Sequence, residues 1–175
     1  YKNFDERYLI MISDIDEIPD PEKIKLFDIK NKYACFLQKN FQSKINLLNI
    51  TDENWVGTKI CQKRNLISPQ WLRNLKIKKR SFWNIFRDKQ PQIILNGGWH
   101  FSFLKDAESI RSKIISYSHQ EYNTEELTNI DNIKKQILKG EDLFKRDIKY
   151  KIVDLDSTFP NYIFKNKEKF KDWLI

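Results

Sequence analysis

Hydrophobic and polar positions alternate in a way that predicts several strands and one short helix in the first third of the chain. The predicted strands lie at residues 8–12, 33–41, 44–50 and 55–60. The first of them is a continuous apolar run, which is typical of a strand buried on both faces. The sequence Pro19-Asp20-Pro21 is expected to interrupt regular secondary structure. After it, the spacing of Ile24 and Phe27 predicts a helix over residues 22–27.

Helix signals dominate the remainder of the chain. Ser68 followed by Pro69 predicts a helix start with a side-chain cap. Gly140 has the position expected just past a helix end. Further helices are predicted at residues 106–117, 129–139 and 165–174, and further strands at residues 93–95 and 150–153. Since neither an internal repeat nor a linker interrupts this order, we predict one mixed α/β domain over residues 1–175.

Composition adds limits to this picture. The chain has 175 residues, is 40% hydrophobic and 14% aromatic, and carries a formal net charge of +8. That charge favours anionic partners, although Lys, Ile and Asn are frequent everywhere, as an AT-rich genome would produce. No apolar run approaches the roughly 20 residues that span a bilayer. Cys35 and Cys61 lie in apolar surroundings and are predicted to be buried thiols, neither a disulfide nor a metal pair.

The clearest candidate chemistry follows the first predicted strand, in residues 13–19 (SDIDEIP), which we call the acidic motif. Asp14 and Asp16 would form an acidic platform at the carboxyl end of that strand, where open α/β sheets bind ligands. Hard divalent ions prefer such carboxylate oxygens. The alternative is that Asp14, Asp16 and Glu17 cap the helix that begins near Pro21. A second D-x-D at residues 154–158 shows that the bare pattern arises easily.

The neighbourhood of the acidic motif makes it specific. Residues 13–19 resemble the acidic motif of glycosyltransferase family 17, the β-1,4-mannosyl-glycoprotein N-acetylglucosaminyltransferases. Four further segments resemble that family in the same order: residues 55–58 (WVGT), residues 97–103 (GGWHFSF), Lys113 with residues 118–121 (SHQE), and residues 140–146 (GEDLFKR). The resemblance extends over most of the chain.

This resemblance implies a GT-A-like fold and an inverting transfer of a sugar, N-acetylglucosamine first among candidates, from a UDP-sugar to a glycan acceptor. It also implies Mn²⁺ or Mg²⁺ as cofactor. Only twelve residues precede Ser13, whereas such enzymes bind the nucleotide on earlier strands. We therefore expect this chain to lack part of the N-terminal nucleotide-binding half.

The resemblance also suggests site residues. Asp16 is the first choice for the metal, with Asp14 assisting or holding the donor ribose and His119 completing the site. Glu121 is slightly preferred over Asp142 as the base that accepts the proton of the acceptor hydroxyl. The predicted substrate-binding residues are Trp55, Gly97, Gly98, Trp99, His100 and Arg146. Each tryptophan could equally belong to the core, and Asp142 with Arg146 could be a plain i,i+4 ion pair.

Two other interpretations remain open at this stage. Residues 76–89 interleave basic and aromatic side chains, as nucleic-acid-binding modules do, but acidic residues occur throughout the chain and we expect no nucleic-acid partner. The second alternative is an inactive glycosyltransferase remnant that keeps the acidic motif and binds no donor. The Lys, Ile and Asn bias favours a microbial or viral source and a cytoplasmic location, with the Golgi lumen expected for a eukaryotic protein.

Overall fold

The structure is a computed structural model that describes residues 7–77, 91–116, 123–144 and 146–175. Its strands are β1 (Leu9–Ile12), β2 (Glu17–Pro19), β3 (Tyr33–Gln42), β4 (Leu47–Asn49), β5 (Asn54–Gln62), β6 (Gln92–Ile94), β7 (Gly98–Ser102) and β8 (Tyr150–Ile152). Its helices are α1 (Pro21–Ile24), α2 (Pro69–Arg73), α3 (Ala107–Ser116), α4 (Glu125–Thr128), α5 (Ile130–Lys139) and α6 (Asn161–Lys165). The chain groups into two compact units, one of Tyr1–Lys39 with Asn54–His100 and one of Asn40–Glu53 with Phe101–Ile175.

The first unit is built on antiparallel strand pairs. Strand β5 lies between β1 and β3 and is antiparallel to both, and Ile60 faces Met11 on one side and Ala34 on the other. Strand β6 runs parallel to β3, and β2 is antiparallel to β7. The apolar core of this unit consists of Phe27, Ala34, Phe36, Ile60 and Ile94, all less than 9% exposed.

The second unit combines a small sheet with a helical layer. Strand β4 is antiparallel to the end of β3 and to β8. Helices α3 and α5 bury one shared core, formed by Ala107, Ile110, Ile114, Ile133, Ile137 and Leu143. Asn129 caps the start of α5 by accepting a hydrogen bond from the Asn132 backbone N–H, and Gly140 ends the helix at φ 65°. The left-handed conformation explains why glycine stands there.

Most predicted elements are present, and the mixed α/β class is confirmed. Strand β1 differs from the prediction because it is not buried on both faces: Leu9 is 44% exposed. It pairs with β5 as an antiparallel strand, and such strands can leave one face open to water. The predicted helix at residues 165–174 is instead α6 followed by a 3₁₀ helix over Lys167–Trp173, since Asn166 at φ −124° interrupts the helical backbone. The GT-A-like arrangement and the shortened N-terminal half remain predictions.

The two cysteines have the environment that the sequence predicted. Both are free and buried, and burial raises the pKa of each thiol to about 11. They therefore stay protonated at neutral pH and behave as small apolar core residues. Within the described ranges, no helix is long and apolar enough to cross a membrane.

Candidate functional site

The acidic motif forms a tight turn between β1 and β2. The Glu17 backbone N–H donates to the Asp14 carbonyl oxygen over 3.1 Å, which closes the turn. Before the turn, Ser13 Oγ lies 2.6 Å from Thr58 Oγ1 on β5, and after it β2 pairs with β7. Both ends of the turn are thus attached to strands, whereas Ile15 at its tip is fully exposed. The acidic residues of the motif are therefore held in place by strands on both sides of the turn.

Helix α1 has a cap from outside this turn. The Asp20 side chain accepts a hydrogen bond from the Glu22 backbone N–H over 3.0 Å. The alternative in which Asp14, Asp16 or Glu17 caps this helix is therefore wrong. Each of these three acids has a different environment.

Glu17 is the buried acid of the motif, only 8% exposed. Its Oε1 accepts a hydrogen bond from the indole Nε1–H of Trp55 over 2.9 Å. Its Oε2 accepts from the backbone N–H of Asp14 over 3.1 Å. With both oxygens occupied, Glu17 ties the turn to β5, and its removal would leave two partly buried N–H donors without this partner. Glu17 therefore supports the site and is a poor candidate for a metal ligand.

Asp14 is held by an arginine 59 positions further along the chain. Arg73, the last residue of α2, donates from Nε to Oδ1 over 2.7 Å and from Nη2 to Oδ2 over 2.9 Å. This is the bidentate geometry of strong guanidinium–carboxylate pairs. The hydrogen bond from Arg73 keeps the pKa of Asp14 below its ordinary value. Asp14 is therefore ionised and its charge is balanced within the chain.

Asp16 lies beside the histidine of β7. Its Oδ2 is 3.6 Å from His100 Nε2. The His100 ring is buried and stacks on Trp55, with ring centroids 4.3 Å apart and an interplanar angle of 10°. The antiparallel pairing of β2 with β7 places Glu17 opposite His100. The structure thus brings together Asp16, His100 and Trp55, which the sequence predicted for one site from three separate segments.

A cleft of about 450 Å³ opens beside this turn. Its volume is in the range of roughly 300–1,000 Å³ that is common for small-molecule sites. It is lined by Ile12, Asp14, Glu17, Trp55, Val56, Lys59, Arg73, Asn74, Leu75, Lys76 and Ile77. Three of these side chains are cationic and two are anionic, so the lining has an excess of one positive charge. The cleft therefore has the charge expected of a site for an anionic ligand.

Gly97, Gly98 and Trp99 pack against other parts of the protein and do not line an open surface. A Cβ on Gly97 would lie 2.7 Å from Phe36 Cβ, and one on Gly98 would lie 2.9 Å from Pro19 Cα. The backbone at Gly97 and Gly98 does pass close to other atoms, but those atoms belong to the first unit of the protein itself. Trp99 is only 9% exposed, so its ring belongs to the interior rather than to an open stacking surface. Trp55 is 37% exposed and is the better placed of the two tryptophans.

Asp142 and Arg146 lie in the second unit and form the i,i+4 ion pair that was one of their two interpretations. The Asp142 side chain is 2% exposed. It accepts from the backbone N–H, Nε and Nη2 of Arg146 over 2.8, 3.0 and 2.8 Å, and from the Tyr150 hydroxyl over 3.1 Å. Burial raises the pKa of Asp142, but the hydrogen bonds from Arg146 outweigh it and the net shift is downward. A carboxylate held in this way is a weak proton acceptor, which favours Glu121 as the base. The assignment itself stays a prediction.

This ion pair makes a prediction about acid stability. We expect Arg146→Met to lower the free energy of unfolding by about 3 kcal/mol, because it leaves a buried carboxylate unpaired. Asp142→Asn should cost less, since the Arg146 side chain is 42% exposed and can be hydrated. The folded-state pKa of Asp142 lies below its unfolded value of about 3.9. Its contribution is therefore complete above that value and is lost as pH falls through the folded pKa.

Urea unfolding of the wild type and of Asp142→Asn between about pH 7 and pH 2 measures this contribution. The difference in unfolding free energy between the two proteins should be constant near neutral pH and should shrink in acid. A difference that stays constant down to the lowest pH at which both proteins fold would contradict the role given to Asp142.

Several predicted residues lie outside the described ranges. These are His119, Glu121 and most of the basic and aromatic segment at residues 76–89. The metal role of His119, the base role of Glu121 and the nucleic-acid interpretation of that segment therefore stay predictions. Nothing in the described part of the chain adds support to a nucleic-acid partner.

The described donors are compatible with a divalent cation that also binds a ligand. Asp14 and Glu17 each have both carboxylate oxygens in hydrogen bonds, and Asp16 is the carboxylate that lies beside His100. Its Oδ2 and His100 Nε2 are 3.6 Å apart, wider than the roughly 3.0 Å between adjacent ligands of an octahedral ion with bonds of about 2.1 Å, so a small rotation of the Asp16 side chain would bring both donors to one ion. The residues 7–77, 91–116, 123–144 and 146–175 contain no cluster of three or more such ligands. An ion held by Asp16 and His100 would have to take its remaining ligands from phosphate oxygens and water.

Two contributors to the site were missed by the sequence interpretation. Arg73 was visible only as part of a helix start, and Lys59 only as part of a strand. Lys59 is 8% exposed, and its Nζ donates to the Val56 carbonyl oxygen over 3.1 Å. Lys59 is the one charged residue of β5 and directly follows the Trp-Val-Gly-Thr segment, and this was the one signal that could have indicated a role for it.

Comparison with known proteins gives one match. The sequence model of glycosyltransferase family 17 matches residues 1–174 of this chain. No curated protein and no solved structure matches the chain. The family match covers the acidic motif, the strand that carries Trp55, and β7 with His100.

Proposed function

Because the chain belongs to glycosyltransferase family 17, we propose that it transfers a sugar from a UDP-sugar to a glycan acceptor with inversion at the anomeric carbon. N-acetylglucosamine is the first candidate for the sugar. The observation that carries this proposal is the division of roles among the three acids of the motif. Asp14 lines the cleft and pairs with Arg73, Glu17 supports the turn, and Asp16 lies beside His100, where it would donate to a cation.

The transfer requires a base for the proton of the acceptor hydroxyl and stabilisation of the negative charge on the departing diphosphate. The acceptor hydroxyl oxygen attacks the anomeric carbon while the bond from that carbon to the diphosphate oxygen breaks. The hydroxyl proton passes to a base, for which Glu121 is the first choice and Asp142 the second. The departing diphosphate carries the electron pair and gains negative charge, and the side chains of Arg73, Lys59 and Lys76 around the cleft would stabilise it.

A divalent cation, Mn²⁺ or Mg²⁺, would be held by Asp16 with His100 beside it. When bound, the cation supplies Lewis-acid stabilisation of the diphosphate leaving group. The protein's own part is to orient these ligands. The His100 ring is fixed by stacking on Trp55, and Trp55 is fixed by its hydrogen bond to Glu17. Supporting contacts of this kind set both the affinity and the geometry of a metal site.

The proposal is tested by calorimetric titration of the chain with UDP, with and without Mn²⁺, followed by a transfer assay with UDP-N-acetylglucosamine. We expect UDP to bind measurably only when the metal is present, because the phosphate oxygens complete the coordination of the ion. Binding of a single-stranded oligonucleotide across salt concentrations serves as the control for simple charge attraction. Absence of any heat with the full pair of ligands would instead support the inactive-remnant alternative.

A further inference from the structure

Arg73 would compete with any cation that binds Asp14. Its guanidinium nitrogens engage both oxygens of Asp14, one of the two aspartates of the acidic motif. A cation that uses Asp14 therefore has to displace Arg73 or share the carboxylate with it. Two positive charges at one carboxylate repel each other, so occupation of Asp14 by either one weakens the binding of the other.

The backbone that carries Arg73 is fixed, but its side chain can move. The Ser68 side chain caps α2 by accepting from the Trp71 backbone N–H over 3.1 Å, and Leu72 is completely buried. The Trp71 ring packs edge-on against Tyr33 at 5.7 Å. By contrast, the side chains of Arg73 and Asp14 are 52% and 40% exposed. Because both side chains are about half exposed, water and a bound anion can reach the pair, and the guanidinium can exchange its carboxylate for a phosphate without crossing buried structure.

A displaced Arg73 would remain among the other cationic side chains of the cleft. Asp14 and Arg73 both line it, together with Lys59 and Lys76. A guanidinium matches the oxygens of a phosphate with the same two-pronged geometry that it uses for a carboxylate. A diphosphate in the cleft would therefore replace the carboxylate that Arg73 gives up.

We propose that Arg73 is a positioning residue that couples metal binding to diphosphate binding by transferring its guanidinium from Asp14 to a phosphate of the donor. This inference rests on the proposed function. Without a ligand, Arg73 neutralises Asp14 and opposes the metal. When metal and nucleotide diphosphate bind together, Asp14 turns to the metal and Arg73 to the diphosphate. Each ligand then removes an obstacle to the other, and the coupling is reciprocal.

The test is calorimetry of Mn²⁺ alone, of UDP alone, and of each in the presence of the other. The proteins compared are the wild type, Arg73→Met, Arg73→Lys and the control Arg64→Met. Arg64 is a suitable control because its guanidinium donates to Gln62 Oε1 in the same unit and does not line the cleft. Unfolding midpoints of all four proteins are measured alongside.

Arg73→Met should bind Mn²⁺ alone several-fold more tightly than the wild type, because the competing cation is gone. It should bind UDP in the presence of Mn²⁺ about tenfold more weakly, because the phosphate partner is gone. The factor by which UDP tightens Mn²⁺ binding should fall accordingly. Arg73→Lys should change both affinities in the same directions and by smaller factors, and Arg64→Met should match the wild type. A purely structural role for Arg73 would weaken both ligands and could not produce opposite signs.

The inference is overturned if the wild type binds both ligands cooperatively but Arg73→Met binds Mn²⁺ alone no more tightly than the wild type. In that case the proposed function still stands. If the wild type does not bind UDP even in the presence of Mn²⁺, the proposed function fails and this inference fails with it. Should Arg73→Met be too unstable to titrate, the comparison of Arg73→Lys with the wild type decides by the same signs.

Discussion

Asp16→Asn is expected to lower metal-dependent transfer from a UDP-sugar by roughly 10²- to 10³-fold, which corresponds to a loss of several kcal/mol of charge stabilisation at the leaving group. The unfolding midpoint should change little, since the Asp16 side chain is about a third exposed. The loss should appear in kcat/KM at every Mn²⁺ concentration, and Mn²⁺ binding in the presence of UDP should weaken in parallel.

The size of this effect follows from what the neighbouring acids already do. Both oxygens of Asp14 accept hydrogen bonds from Arg73, and both oxygens of Glu17 accept hydrogen bonds inside the turn and from Trp55. Asp16, which lies beside His100, is therefore the acid that we propose as the first carboxylate ligand of a cation at this turn. Asparagine keeps the size and hydrogen-bonding shape of that side chain but removes the negative charge, so the substitution isolates the charge.

The second D-x-D of the chain supplies the matched control. Asp156 accepts hydrogen bonds from the backbone N–H and the hydroxyl of Thr158 over 2.8 and 2.6 Å, and therefore closes a local turn. Asp156→Asn should leave transfer unchanged. Full activity of Asp16→Asn, or an equal loss in Asp156→Asn, would remove the acidic motif from the mechanism.

Elements whose stability depends on close neighbours in sequence were predictable. The helix that starts after Ser68 and the helix that runs from Asn129 to Gly140 both carry their capping residues within a few positions of their ends. Strand β2 was missed for the opposite reason. Glu17–Pro19 is three residues long and ends in proline, and it becomes a strand only through pairing with β7, about 80 positions later.

The candidate site was predictable in its residue types but not in their partnerships. The sequence shows Asp14, Asp16 and Glu17 as three similar acids within four positions. Their different roles come from Arg73 and Trp55, which are 59 and 38 positions away from Asp14 and Glu17. Periodicity and spacing contain no record of such long-range contacts. The family resemblance indicated that these segments belong together, and the fold supplies which atom meets which.

Gly98→Ala is expected to be the most destabilising single substitution of a glycine. It should lower the free energy of unfolding by about 4 kcal/mol or more, a loss that is exceptional for a point mutation and has a specific structural cause. Gly98 has φ +142°, a conformation that residues with a side chain rarely adopt. A Cβ there would collide with the Ile18 carbonyl oxygen and would lie 2.9 Å from Pro19 Cα and from the Asp20 backbone nitrogen. All three atoms belong to the backbone and cannot rotate away.

The collision falls on the pairing that supports the acidic motif. Strand β2 would have to move away from β7 and lose the register that sets Glu17 opposite His100. The contact between Glu17 and Trp55 and the position of Asp16 beside His100 depend on that register. Binding of Mn²⁺ with UDP should therefore be lost at temperatures where circular dichroism shows that most of the chain is still folded.

Gly140→Ala separates this effect from the general cost of replacing a glycine with positive φ. Gly140 has φ +65°, and a Cβ there would meet only the Leu47 Cδ1 methyl group at 3.1 Å. Its expected cost is about 1–2 kcal/mol, with binding of Mn²⁺ and UDP retained. If urea unfolding gives the two variants the same cost, or if Gly98→Ala binds both ligands normally, then β2 can adjust to a side chain at position 98. In that case the β2–β7 register does not hold the acidic motif in place.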